Sequence, residues 1–204
     1  MAKTWTRRGK TPHAQQNDPL ARSDATAARA VLRDCHRSAR ELSTATTPTT
    51  WRLRWITTVV LLRTVGHVLD KVDGARSLYL RAAIDREWAR VKAHRADNLI
   101  FHAFIEEERN SIAKEYEIGA RLVQPVAADS SPALDAPVFL GDRIVPQRAV
   151  IKEAIGWWER LLTEVEAAAD GALREDRRAR RVVRRLASPS PRKAPKHGAR
   201  TSDP

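Results

Sequence analysis

The chain has 204 residues, 42% of them hydrophobic and 30% charged, which is apolar enough for one buried core and excludes a chain disordered throughout. Its net charge of +12 is unevenly placed: the first 19 residues carry four basic side chains against one acidic, residues 171–204 carry eleven against three, and the body between them is close to neutral. A uniformly basic fold is therefore excluded, and so is a membrane span, because the longest apolar run, Val59–Leu62, is far short of the roughly 20 residues required.

The opening MAKTWTRRGKTPHAQQ has basic residues with no apolar stretch behind them, so no secretory signal is expected and the expected location is the cytoplasm. A single cysteine, Cys35, excludes an internal disulfide and a cysteine-based zinc cluster, and no histidines stand at metal-ligand spacing. No metal and no small-molecule cofactor are expected. Residues 1–18 lack a periodic apolar face and read as a disordered basic arm.

Helical periodicity begins after Pro19. Ala28, Val31, Leu32, Cys35, Ala39 and Leu42 form the stripe of a first helix, with Cys35 an inert core thiol, and the threonine-rich STATTPTT turns the chain. Thr49 or Thr50 can cap a second helix with the stripe Trp51, Trp55, Val59, Leu62, Val65, Leu69 and Val72, ended by Gly74. Beside Gly66 on this helix, His67, Asp70 and Lys71 form a polar face that reads as a helix-packing notch.

A third helix buries Leu80, Ile84, Trp88 and Val91 and turns Arg81, Arg86, Arg90 and Lys92 mostly outward. Asp97 can cap a fourth, carrying Phe101, Phe104, Ile105, Ile112, Tyr116 and Val123 up to Pro125, although unbroken helix through AHRAD fits the pattern equally well. In the stretch 125–146, VFLGDRIV is a small hairpin turned at Gly141 and Asp142, or a loop. Residues 147–170 show the stripe Ile151, Ala154, Ile155, Trp158, Leu161, Leu162 and Val165. Of the adjacent Trp157 and Trp158, Trp158 is expected in the core, while Trp157 is a dimer contact or covers the bundle end.

With no strand set for a sheet, the expected fold is all-α, an antiparallel up-and-down helical bundle of four to five helices spanning residues 19–171. Residues 172–204 follow as an arginine-rich, largely disordered tail, whose first part can become helical when bound. Arg174, Arg177, Arg178, Arg180, Arg181, Arg184 and Arg185 of this tail can neutralise phosphates and give sequence-independent binding. The same charge also suits an acidic protein, an anionic lipid or simple solvation.

The densest polar cluster on an apolar helix is FHAFIEEERNSIAKEY, residues 101–116. On a regular helix His102, Glu106, Arg109, Asn110, Ala113 and Glu117 share one face. There Arg109 beside Asn110 can hold a phosphate while Glu106 orients it, or the group is an ordinary surface ion-pair set. Arg109 and Asn110, then three residues and the polar Lys114, resemble the arginine-asparagine signature of the HEPN superfamily. That resemblance implies an all-α bundle whose dimers unite two signatures into a metal-independent RNA-cleaving site, with Arg109 stabilising charge and Asn110 positioning it. A homodimer and RNA are then the implied partners.

The family's catalytic histidine falls at Lys114, and an ordinary lysine, with a pKa of about 10.4, stays protonated near neutrality. Lys114 can still stabilise phosphate charge, and His102, seven residues before Arg109, is a candidate substitute. VGHVLDKVD, ERNSIAKEY and WWERLLTEVE together are similar to a group of bacterial proteins with no assigned activity. The expected function is thus RNA binding, with or without cleavage, in a toxin or defence setting; the alternative is a non-catalytic helical adaptor with a basic tail.

Overall fold

The computed structural model describes residues 22–120, 137–140 and 143–187. Among these described residues four helical runs alternate in direction. The first is α1, Thr26–Ser43; the second is α2, Pro48–Val68, continued by a π-helical turn, Leu69–Asp73, and a single turn, α3, Gly74–Arg76. The third joins α4, Leu78–Ala93, to a π-helical segment, Ile100–Glu106, that passes into α5, Glu107–Glu115; the fourth is α6, Gln147–Ala187.

Side-chain contacts show the directions. Ser38 meets Thr58 at 2.7 Å and Asp73 meets Ala28 at 2.8 Å, so α1 and α2 run oppositely. Trp55 meets Glu108, Gly66 lies against Trp88, and Gly74 lies against Ile84, so α2 and the third run are also antiparallel. Tyr79–Asp176 and Arg90–Glu164 set α6 against α4. The fold is an antiparallel up-and-down bundle whose third member is broken.

The apolar stripes pack as their spacing requires. Leu32, Cys35, Trp55, Val59, Leu62, Leu80, Ile84, Val91, Leu162 and Val165 are all at most 3% exposed. Burial pushes the Cys35 thiol up to about 12, which keeps it protonated and unreactive at neutral pH.

Several helix ends differ from expectation for local reasons. Thr47, not Thr49 or Thr50, caps α2: its hydroxyl accepts from the Thr50 N–H at 3.2 Å, with Pro48 just behind it in the first turn. Gly74 does not end the second run, since its φ of −61° is ordinary right-handed helix. Ser77 does so by turning extended, and its hydroxyl then caps α4 through the Leu80 N–H. Helix is not continuous through AHRAD either. Asn98, rather than Asp97, fastens that turn: its amide donates to the His94 carbonyl at 2.8 Å and accepts from the Trp157 indole at 3.0 Å.

The α5 helix ends at Tyr116, in the left-handed region with φ 57°, and Tyr116 is exposed rather than on the inner stripe. Val123 and Pro125, expected to finish this helix, and the arm 1–18 lie outside the described residues. The hairpin is present: β1, Pro137–Leu140, pairs antiparallel with β2, Arg143–Pro146, in the register Val138 to Val145. Gly171 does not end α6, which is helical to Ala187. Residues 172–187 thus hold, in the free chain, the helix expected only on binding.

Trp157 is not a surface or dimer contact, because both tryptophans are buried, at 6% and 0% exposure, in a cluster with Trp88 and Phe101. Gly66 makes room for it. A Cβ there would stand 2.7 Å from Trp158 Cη2 and 3.3 Å from Trp88 Cζ2, whereas Gly171 has nothing within 4 Å. Gly66→Ala should therefore lose up to about 2 kcal/mol, overpacking of about 1–3 exceeding the roughly 1 gained in helix propensity. Gly171→Ala should gain about 0.5–1 kcal/mol. Chemical denaturation of both variants checks the pair, and equal signs would refute the notch.

Candidate nucleic-acid interface

The single polar face expected from His102 to Glu117 is divided. A π-helix closes i to i+5 bonds and so carries more residues per turn. The segment Ile100–Glu106 therefore rotates everything after it by about a quarter-turn relative to a regular helix. His102 is turned inward, 6% exposed, with Nε2 3.2 Å from the Val91 carbonyl. A carbonyl only accepts, so this nitrogen donates. The other ring nitrogen, Nδ1, lies 3.5 Å from a Glu106 carboxylate oxygen and makes no hydrogen bond.

Arg109 and Lys114 are exposed on α5. Arg109 Nη1 donates to Asn110 Oδ1 at 3.0 Å, and among the described residues it makes no ion pair, so the expected Glu106–Arg109 bridge is absent. Within one chain, then, His102 and Glu106 are in contact and Arg109 and Asn110 are in contact, and no hydrogen bond or ion pair among the described residues joins the two pairs.

Glu108, between these residues, is the side chain that sequence reasoning missed. It is buried, accepts from the Trp55 indole at 2.8 Å and from the Gly119 N–H at 3.1 Å, and ties α5 and the following turn to α2. A Cβ on Gly119 would stand 2.6 Å from its carboxylate. Its acidic neighbours in EEER gave no sign that this one faces inward. Burial raises its pKa above the usual 4.5 against the opposing effect of these hydrogen bonds. The folded state thus holds the proton more tightly than the unfolded chain, so stability falls as pH rises from about 4.5 towards the raised value. Glu108→Gln, which keeps an acceptor for Trp55, should remove that decline; denaturation midpoints across pH 4 to 7 that decline equally in both proteins would contradict it.

The seven arginines expected to meet phosphate are all on α6. Leu173 is the last buried residue of that helix. Asp176, half-buried, accepts from the Tyr79 hydroxyl at 2.7 Å and pairs with Arg180 at 2.8 Å, anchoring the base of the extension to α4. The Tyr79 hydrogen bond, then the Arg180 pair, hold the Asp176 carboxyl below its ordinary value. From residue 177 to Ala187 every side chain is exposed. Residues 174–187 extend about 21 Å at helical rise. Arg174 is paired with Asp170; Arg177, Arg178, Arg181 and Arg185 make no ion pair among the described residues.

Helical spacing puts these four arginines on one side, and Ala179, Val182, Val183 and Leu186 on the other. The last three are 55%, 64% and 83% exposed. The extension leaves the bundle where α4 begins. The α5 helix packs on the opening turns of α2, through Trp55–Glu108 and Arg52–Tyr116. Arg109 and Asn110 are therefore at the other end of the bundle, roughly 30 Å away by helical rise, and do not form one surface with the arginine helix.

No helix among the described residues is long and apolar enough to cross a membrane, and no group of three or more potential metal ligands occurs among them. No family model matches the chain, and no curated protein or solved structure is significantly similar to it.

Proposed function

We propose that the protein binds RNA through the arginine face of the α6 extension, in a manner governed by the phosphate backbone rather than by base sequence. The observation that carries this reading is a preformed helix, clear of the bundle, with Arg177, Arg178, Arg181 and Arg185 on one side and no carboxylate paired to them among the described residues. A guanidinium is always charged and offers a planar fork of donors to phosphate oxygens. An already folded helix presents four of them without paying the ordering cost of a disordered tail. No aromatic side chain stands among them, so there is no platform for base stacking and little basis for sequence choice.

Cleavage is a separate question in this reading. Among the described residues no hydrogen bond or ion pair links His102 to Arg109 or Asn110, so the HEPN-like version of this reading calls on a second copy to complete a site at the Arg109–Asn110 pair. Incubation with total RNA in EDTA tests it: cleavage by the parent and none by Arg109→Ala supports the composite site, and a monomer by light scattering with no cleavage removes it.

A second reading, a protein-interaction adaptor, is favoured by the opposite side of the same helix, where Val182, Val183 and Leu186 form an uncovered apolar stripe. Substituting the four arginines by alanine and, separately, Val182 and Leu186 by aspartate distinguishes the two. RNA binding lost in the first variant and kept in the second supports the proposal; the reverse supports the adaptor.

A further inference from the structure

An open groove of about 880 Å³ runs between α2, α4 and the π-helical segment Ile100–Glu106, within the size range of small-ligand sites. Three cations on it, Arg63, Lys92 and Arg95, have no ion pair among the described residues. The Arg63 guanidinium lies 6.0 Å from the Phe101 ring centre. Of its acids, Asp70 is held by Lys71 at 2.8 Å and by Arg81 at 2.6 Å and Asp85 by Arg81 at 2.5 Å, while Glu106, 3.5 Å from His102 Nδ1, makes no hydrogen bond to it and is outnumbered by the three cations. The groove thus keeps unspent positive charge.

Two further features bear on the ligand. The rings of Trp88, half-buried, and Phe101 line the groove with their centres 5.2 Å apart. His102 lines it too, and its Nδ1 is buried without a hydrogen bond. With Nε2 donating to Val91, Nδ1 of the neutral ring is an acceptor, and leaving such a group unsatisfied is costly. Both π-helical segments flank this groove, and π turns are frequent at functional sites.

We propose that the groove binds a nucleotide: the phosphate at Arg63, Lys92 and Arg95, the planar base against Trp88, and a hydroxyl or amine hydrogen given to His102 Nδ1. Inorganic phosphate would use only the cations, and a nucleoside only the aromatic and histidine side. This proposal is independent of RNA binding by α6, which lies on other residues.

Titration calorimetry of the full chain with AMP, adenosine and inorganic phosphate tests it. AMP should bind at least tenfold more tightly than either fragment. Arg63→Ala and Arg95→Ala should each weaken AMP at least tenfold, with unchanged far-ultraviolet circular dichroism. Arg95 is on an exposed turn, so its variant remains informative if the other misfolds. The four-arginine α6 variant should bind AMP as the parent does. Absence of AMP binding, phosphate binding as tight as AMP, or undiminished binding by Arg95→Ala would each overturn the proposal.

Discussion

Between 50 and 200 mM salt, the affinity of the full chain for a single-stranded RNA is expected to fall roughly fifty-fold. Four phosphates neutralised by Arg177, Arg178, Arg181 and Arg185 give a slope of log affinity against log salt of about −3, at about 0.7 per phosphate on single strands. The variant with all four replaced by alanine should lose at least tenfold in affinity at 50 mM and bring the slope above about −1. Replacement by lysine should retain most of the slope, because it keeps the charge and loses only the fork geometry. Fluorescence anisotropy over a salt series reads both quantities. An unchanged slope in the alanine variant would place the electrostatic contact elsewhere on the chain.

The largest effect expected on stability comes from Asp73. The α1 helix has no cap of its own, since Ala25 at its start offers no side-chain acceptor. The Asp73 carboxylate, 2% exposed and contributed by the π turn after α2, accepts from the Ala27 N–H at 3.1 Å and the Ala28 N–H at 2.8 Å. It thus serves as an N-cap supplied from another helix and places negative charge at the positive end of the α1 dipole. Asp73→Ala leaves both donors without that partner in a site too buried for easy solvation, and should cost about 2–4 kcal/mol. For a domain of this size that is a fall of roughly 5–15 °C in melting temperature. Asp73→Asn keeps one acceptor and should lose about half as much. A loss below about 0.5 kcal/mol in the alanine variant would show that the cap is not what holds α1 in place.

Asp73 also shows where the sequence stops being legible. The stripe read from Trp51 predicts that Val72 is inward, yet Val72 is half-buried and Asp73 is inward. The π turn at Leu69–Asp73 changes the phase. Nothing local marks that turn: it is held by Arg81, eleven residues on, whose guanidinium donates both to the Asp70 carbonyl at 3.1 Å and to its carboxylate at 2.6 Å. The same holds for Ile100–Glu106. Its extra residue separates His102 from Arg109, and it is supported by contacts to Val91, Trp157 and Asn98 that lie on other elements.

The regular parts were legible because burial of an apolar stripe depends on spacing alone. The stripes of α1 and α6 pack as read, and so does that of α2 as far as Leu69. The number of helical runs was legible as well, and Gly66 could be read as a notch, though not that Trp158 fills it. The polar site was harder. Glu106, Glu107 and Glu108 are alike in sequence, and only the position of Trp55 and Gly119 makes Glu108 the buried one. The arginine tail was legible as charge, while its helix, continuing past Gly171, was obscured by a glycine that has open space on every side.

The most direct measurement is photo-cross-linking of the full chain to RNA containing 4-thiouridine, followed by identification of the cross-linked peptides. The account predicts that they concentrate in residues 174–187 and vanish in the four-arginine variant. Cross-links concentrated around Arg109 and Asn110, with the α6 extension unmarked, would contradict it.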